Sequence, residues 1–147
     1  MQDAVQISFA WGLVPLLLVI LWTMLRSERG PRLARLRVNG ELARDSRIVR
    51  ASRFATRSVG LLNHAYLLPA HGLWLKSRGA VHTRGMLFPI DLVQLDAAGT
   101  VLGVTEHVPA GELIRPVRGT RSVLELRSGG AREDFAIRVG DRLTFEV

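Results

Sequence analysis

Residues 80–96 read AVHTRGMLFPIDLVQLD and bring the chain's most chemically capable side chains into one short apolar stretch. His82 sits beside Thr83, four residues before Met86 and nine before Asp91. Histidine titrates near neutrality, so a pocket with His82 as base or ligand and Asp91 as its orienting carboxylate is one reading. The other makes His82 a loop residue bonded to backbone and Asp91 the cap of a turn beside Pro89. On a strand His82 and Arg84 face one way, Thr83 and Gly85 the other. The structural reading of these residues is preferred, and ligand binding without catalysis ranks second.

Other chemistries have weaker support. The chain lacks cysteine, which excludes disulfides, thiolate metal sites and cysteine nucleophiles. His64, His71, His82 and His107 share no ligand spacing such as H-x-x-x-H, so no metal site and no cofactor are expected. There is no G-x-S-x-G, and Ser128-Gly129-Gly130 and Gly140-Asp141 lack the lysine and spacing of a phosphate loop. Glu106-His107 reads as a solvated strand end. Asp96-Ala97-Ala98-Gly99 reads as a turn. Glu125, between Leu124 and Leu126, is expected to point away from a buried face, with an arginine such as Arg57 as a candidate partner.

The elements that must position these residues fall into three zones. Ile7 to Leu25, ISFAWGLVPLLLVILWTML, has no charged residue. As a helix it would span roughly 28 Å, about the hydrocarbon thickness of a bilayer. Trp11 and Trp22 lie near its ends, where indoles favour the interface, and Pro15 is tolerable inside such a helix. A cleaved signal peptide fits less well, because Asp3 replaces a basic leader and RSERGPR offers no small-residue cleavage site. The expectation is an uncleaved transmembrane helix over 1–26.

Residues 26–57 contain ten arginines against Glu28, Glu41 and Asp45, a local charge of +7, whereas residues 58–147 are nearly balanced. Arg26, Arg29, Arg32 and Arg35 directly follow the apolar run, and the positive-inside rule then places the following domain in the cytoplasm, anchored to the inner membrane. Contact with anionic lipid explains these arginines better than nucleic acid. Phe54 is the segment's one aromatic residue, and no nucleic-acid-binding module is visible.

A basic linker over 27–34 leads into a β-rich domain over 35–147. Asn39-Gly40 between alternating runs is a hairpin signature, because a type I′ turn needs positive φ at both central residues. Short strands follow at 46–51, 72–76, 80–83, 90–96, 100–108, 122–127 and 141–147. A helix is expected over 53–62, a long loop over 109–119 and a helical turn over 129–137. The spacing of these runs predicts an α+β, β-rich fold, a small barrel-like or sandwich domain with one or two short helices.

Ala51, Arg57-x-x-Gly60-Leu61, Gly72-Leu73, Pro89-x-Asp91, Leu95-Asp96, Val123-Leu124-Glu125-Leu126, Gly129 and Gly140-Asp141 occur in an order and spacing that resembles the family called domain of unknown function 192, over about residues 33–147. Much of that family has Phe-Trp-Met-Lys-Asn-Thr where this chain has Val81 to Met86, so the chain looks like the branch reading V-H-T-x-x-M-x-F-P-I-D. The resemblance implies a β-rich fold with a small barrel-like sheet and structural roles for Arg57, Gly60, Pro89, Asp96, Glu125, Gly140 and Asp141. It implies no established activity. It also implies a loose association with pilus assembly, which agrees with a membrane-anchored accessory protein that binds a protein partner. The competing class is a small-molecule binder or enzyme using His82 and Asp91.

Overall fold

The computed structural model describes residues 32–51 and 67–147. The apolar segment 7–25, Arg26, Arg29 and the helix expected over 53–62, with Arg57 and Gly60, lie outside the described residues. Among the described residues no helix is long and apolar enough to cross a membrane. The chain divides into two units, Met1–Gly30 and Pro31–Val147, and the described residues belong to the second.

Among the described residues of the second unit, ten strands and one short helix follow in order: β1 (Arg32–Val38), β2 (Glu41–Leu42), β3 (Arg47–Ala51), β4 (His71–Lys76), β5 (Val81–His82), β6 (Ile90–Leu95), β7 (Val101–Val108), β8 (Leu113–Ile114), β9 (Ser122–Arg127), α1 (Gly130–Glu133) and β10 (Leu143–Glu146). The main sheet runs β10-β1-β3-β4-β9-β6-β7, with β2 paired to β1. Its pairs are antiparallel except β3–β4, which are parallel. The two ends of this path meet at a single bridge between Thr100 and Arg142. The sheet is therefore a half-barrel, closed at one end by the amide bonds Val101 N–H to Asp141 O (2.8 Å) and Leu143 N–H to Gly99 O (2.8 Å).

Local chemistry explains several of these elements. Asn39 and Gly40 take φ of 52° and 86°, as a type I′ turn demands. The β1–β2 hairpin follows from that turn. Its tip is braced from afar: Asn39 Nδ2 donates to Asp141 Oδ1 (2.9 Å) and Arg142 N–H donates to Asn39 Oδ1 (2.8 Å). The Asn39 bond, reinforced by the Arg138 amide, holds the Asp141 carboxyl below the usual carboxylate range.

Two apolar clusters lie on opposite faces of the sheet. The first joins Leu36, Ile48, Val93, Leu95, Leu124, Leu126 and Leu143 to Ala131, Phe135 and Ile137 around α1. It draws on strands from both ends of the path, as the inner face of a curled sheet does. The second joins Ala51, Leu73, Leu75, Ile90, Leu92, Val108 and Val123 on the outer face, covered by Met86, Phe88 and the β5–β8 ribbon through Val81 and Ile114. Because both faces are covered, β6 and β9 are buried along nearly their whole length.

This double coverage corrects two sequence-based expectations. Glu125 does not alternate out to solvent; it is 6% exposed, on the outer face with Val123 and paired across the sheet with Leu73 and Leu92. The 109–119 segment is not wholly loop, since β8 within it pairs with β5. The strand expected over 80–83 is reduced to Val81 and His82, and β1 begins at Arg32, so Arg32 and Arg35 are exposed residues of a strand.

Candidate functional site

Asp91 occupies the most constrained position of the 80–96 stretch. It is fully buried, at an irregularity in the β6–β7 register. Its Oδ1 accepts the His107 amide (2.9 Å) and the Gly129 amide (3.0 Å), and its Oδ2 accepts the Ala131 amide (3.0 Å). Hydrogen bonds to a charged acceptor each contribute roughly 1.5–3 kcal/mol, and three of them offset the cost of burying the carboxylate. The cap expected beside Pro89 is thus replaced by a long-range clasp. It joins the first turn of α1 to the far end of β7.

His107 adopts φ 56°, which turns its amide toward Asp91, while its Nδ1 lies 2.6 Å from Ser128 Oγ. Glu106 and His107 are exposed near the end of β7, as expected of a solvated strand end, and the His107 amide also forms the second half of the clasp. His82 lies elsewhere, exposed on β5 opposite Leu113, and makes no hydrogen bond to Asp91. Both oxygens of Asp91 are already engaged by backbone amides.

Thr83 is buried and works in the same manner. Its hydroxyl donates to Pro109 O (2.6 Å) and accepts the Glu112 amide (3.0 Å), while its carbonyl accepts the amides of Met86 (3.2 Å) and Gly111 (3.1 Å). Met86 packs into the outer cluster. The 83–90 and 109–120 loops are therefore stitched into one surface. Gln94, which the sequence reading passes over, anchors it to the sheet: Oε1 accepts the Val117 amide (2.6 Å) and the Thr120 hydroxyl (3.0 Å), and Nε2 donates to Arg115 O (3.2 Å). A lone amide side chain inside the apolar run LVQL was the available signal.

Leu87 (76% exposed), Leu113 (61%) and Val117 (42%) project from this stitched surface.

A separate cleft of about 940 Å³ opens at the end of the half-barrel, between β4, the β6–β7 turn and β10. Trp74 and Phe145 line it, stacked with ring centroids 4.1 Å apart and planes within 8°. The Arg50 guanidinium carbon lies 5.1 Å from the Trp74 ring centroid. Among the described residues the buried Trp74 Nε1 donor has no acceptor, a deficit of about 1–3 kcal/mol if left unmet. Lys76, Arg78, Arg121 and Asp96 complete the charged lining. Asp96 Oδ1 accepts the Thr100 and Ala98 amides (2.8 Å each), and the Thr100 bond leads in holding this carboxyl below its ordinary range. Gly99 completes the same turn at φ 84°.

Among the described residues no three His, Asp or Glu side chains converge as metal ligands. Glu125 carries the one strongly raised carboxyl among the described residues, pushed by burial up to about 7.

Two solved structures share the fold. A protein from Sinorhizobium meliloti 1021, provisionally named a transcription regulator, matches with a TM-score of 0.70 at 21% identity, covering 80% of this chain and 97% of that one. A protein of unknown function from Novosphingobium aromaticivorans DSM 12444 matches with a TM-score of 0.65 at 20% identity, covering 80% of this chain and 88% of that one. No curated protein matches the chain. The model of the uncharacterized conserved family DUF192 matches residues 34–145, from the core residue Ala34 in β1 to Phe145 in the aromatic stack, and the chain belongs to that family.

Proposed function

We propose that this protein is a membrane-tethered accessory or interaction protein, with its half-barrel held at the cytoplasmic face of the inner membrane and its stitched loops engaging a protein partner in a membrane assembly such as a pilus or secretion machine. The observation that carries the binding half of this reading is the use made of the polar residues in the 80–112 region. Thr83 and Gln94 bind backbone, tie the two loops to each other and to the sheet, and leave Leu87, Leu113 and Val117 exposed on them. That arrangement stiffens an apolar contact surface, and stiffening before contact lowers the ordering cost of binding. The tether rests on the uncharged stretch 7–25 and the arginines behind it. Confinement to a surface raises the effective concentration of a partner held there.

Photocrosslinking in intact cells tests the contact surface. A photoactivatable residue replacing Leu87 or Leu113 is expected to give a discrete crosslinked band with a membrane protein. The same residue replacing Val139, which is 65% exposed on another loop, is expected to give none. Equal crosslinking from all three positions, or none from the first two, sinks the reading.

A further inference from the structure

The cleft at the end of the half-barrel has no part in the stitched surface. Two features of it point to one kind of occupant. Its wall carries the stacked Trp74–Phe145 pair, and the Trp74 indole N–H, buried and without an acceptor among the described residues, is a reporter within that wall. Its rim carries Lys76, Arg78 and Arg121, none of which has an ion-pair partner among the described residues. The acid of the lining, Asp96, spends its Oδ1 on the turn amides of Ala98 and Thr100. The charge offered to a ligand is therefore net positive: three cations against one carboxylate.

We propose that this cleft binds a small organic anion with a flat apolar body. The body lies against the Trp74–Phe145 wall, and its anionic group is held by Lys76 and Arg121 with Arg78 beside them. The volume of about 940 Å³ suits a molecule of that size. Aromatic rings supply most of the contact area in such sites, and fixed cations supply orientation. A phosphate group alone lacks the flat body, and a neutral ring lacks the charge, so both halves are required together.

The test uses the full chain in nanodiscs of neutral phosphatidylcholine, with nitrogen-15 in the tryptophan indoles. Trp11, Trp22 and Trp74 give three indole N–H resonances, and Trp74→Phe identifies the one lost. Titration with 2-naphthoate is expected to move the Trp74 resonance saturably, leaving the other two in place. Neutral 2-naphthylmethanol and inorganic phosphate are each expected to bind roughly tenfold or more weakly. Lys76→Ala and Arg121→Ala alter exposed side chains, and each is expected to weaken naphthoate by about tenfold while the resonance itself persists as evidence of folding. An unmoved Trp74 resonance overturns the proposal, as does equal binding of the neutral ring or indifference to both basic substitutions. Displacement of naphthoate by discs containing phosphatidylglycerol would identify a lipid headgroup as the occupant, and would also overturn the assignment to a soluble anion.

Discussion

Glu125 lies on the outer face of β9 with Leu73 and Leu92 directly opposite on the two neighbouring strands. Burial disfavours its charged form and pushes the carboxyl from 4.5 up to about 7. The sign of the resulting pH dependence follows from proton counting. Between 4.5 and about 7 the folded chain holds a proton that the unfolded chain has released, so stability falls as pH rises through that window and levels above it. The full effect is on the order of 3 kcal/mol. Glu125→Gln keeps the shape without the charge. Its urea-unfolding stability is expected to lack this fall and to exceed that of the parent chain near pH 8. Asp96, Asp134 and Asp141 have lowered values and contribute slopes of opposite sign at more acid pH, which cancel when the two chains are compared. Parallel profiles for both chains would show that Glu125 is not a buried titrating group. Nothing in the local pattern warns of this burial: Leu-Glu-Leu alternates as a half-exposed strand does, and only coverage of both sheet faces removes the exposed side. Asp91 was singled out by its apolar surroundings, but its role was hidden, because its three donors lie 16, 38 and 40 residues away.

At the scale of elements, most of what is local was readable. The Asn39-Gly40 turn and the alternating runs of β6, β7 and β9 follow from turn chemistry and side-chain period. The parallel β3–β4 pair and the meeting of the sheet's ends were not readable, since strand neighbours far apart in sequence leave no mark in either one's pattern. Two-residue strands such as β5 and β8 are too short to show a period at all. The closure depends on one glycine. Gly99 has φ 84°, and a Cβ there would run into the Leu143 carbonyl oxygen of the segment it must bond. Gly99→Ala is therefore expected to cost about 1–3 kcal/mol, from backbone strain and lost closure together. Gly111 also has positive φ but faces open space, so Gly111→Ala carries strain alone and is expected to cost less. Hydrogen exchange checks the location. The amides of Val101 and Leu143, which bridge the ends, should lose protection in Gly99→Ala, while those of Leu92 and Leu124 in the central strands keep theirs. Uniform loss across the sheet would mean that closure and sheet form one cooperative unit.

At the scale of the whole molecule, the apolar stretch lies at one end of the chain, and the arginine-rich segment 26–57 that follows it runs on into β1 and β3 of the half-barrel, while residues 58–147 are nearly balanced. Under the proposed tether this asymmetry has a direction. Arginines that follow an uncharged span resist translocation, so the half-barrel stays on the side where they were made, and the same arginines meet anionic headgroups there. The chain supplies its own clean reporter, because it has no native cysteine. A single cysteine added beyond Val147 is expected to be protected from a membrane-impermeant thiol reagent in intact cells and labelled after lysis. Replacing Arg26, Arg29, Arg32 and Arg35 with glutamine is expected to raise labelling in intact cells, because orientation then loses its main determinant. Arg32 and Arg35 are exposed on β1, so this change leaves the buried clusters intact. Labelling of the unsubstituted chain in intact cells would put the domain on the outer side, and the partner captured at Leu87 and Leu113 would then have to be an envelope protein. A cysteine that stays in the soluble fraction after cell breakage would remove the tether itself, leaving the contact surface and the basic cleft to be tested on a free protein.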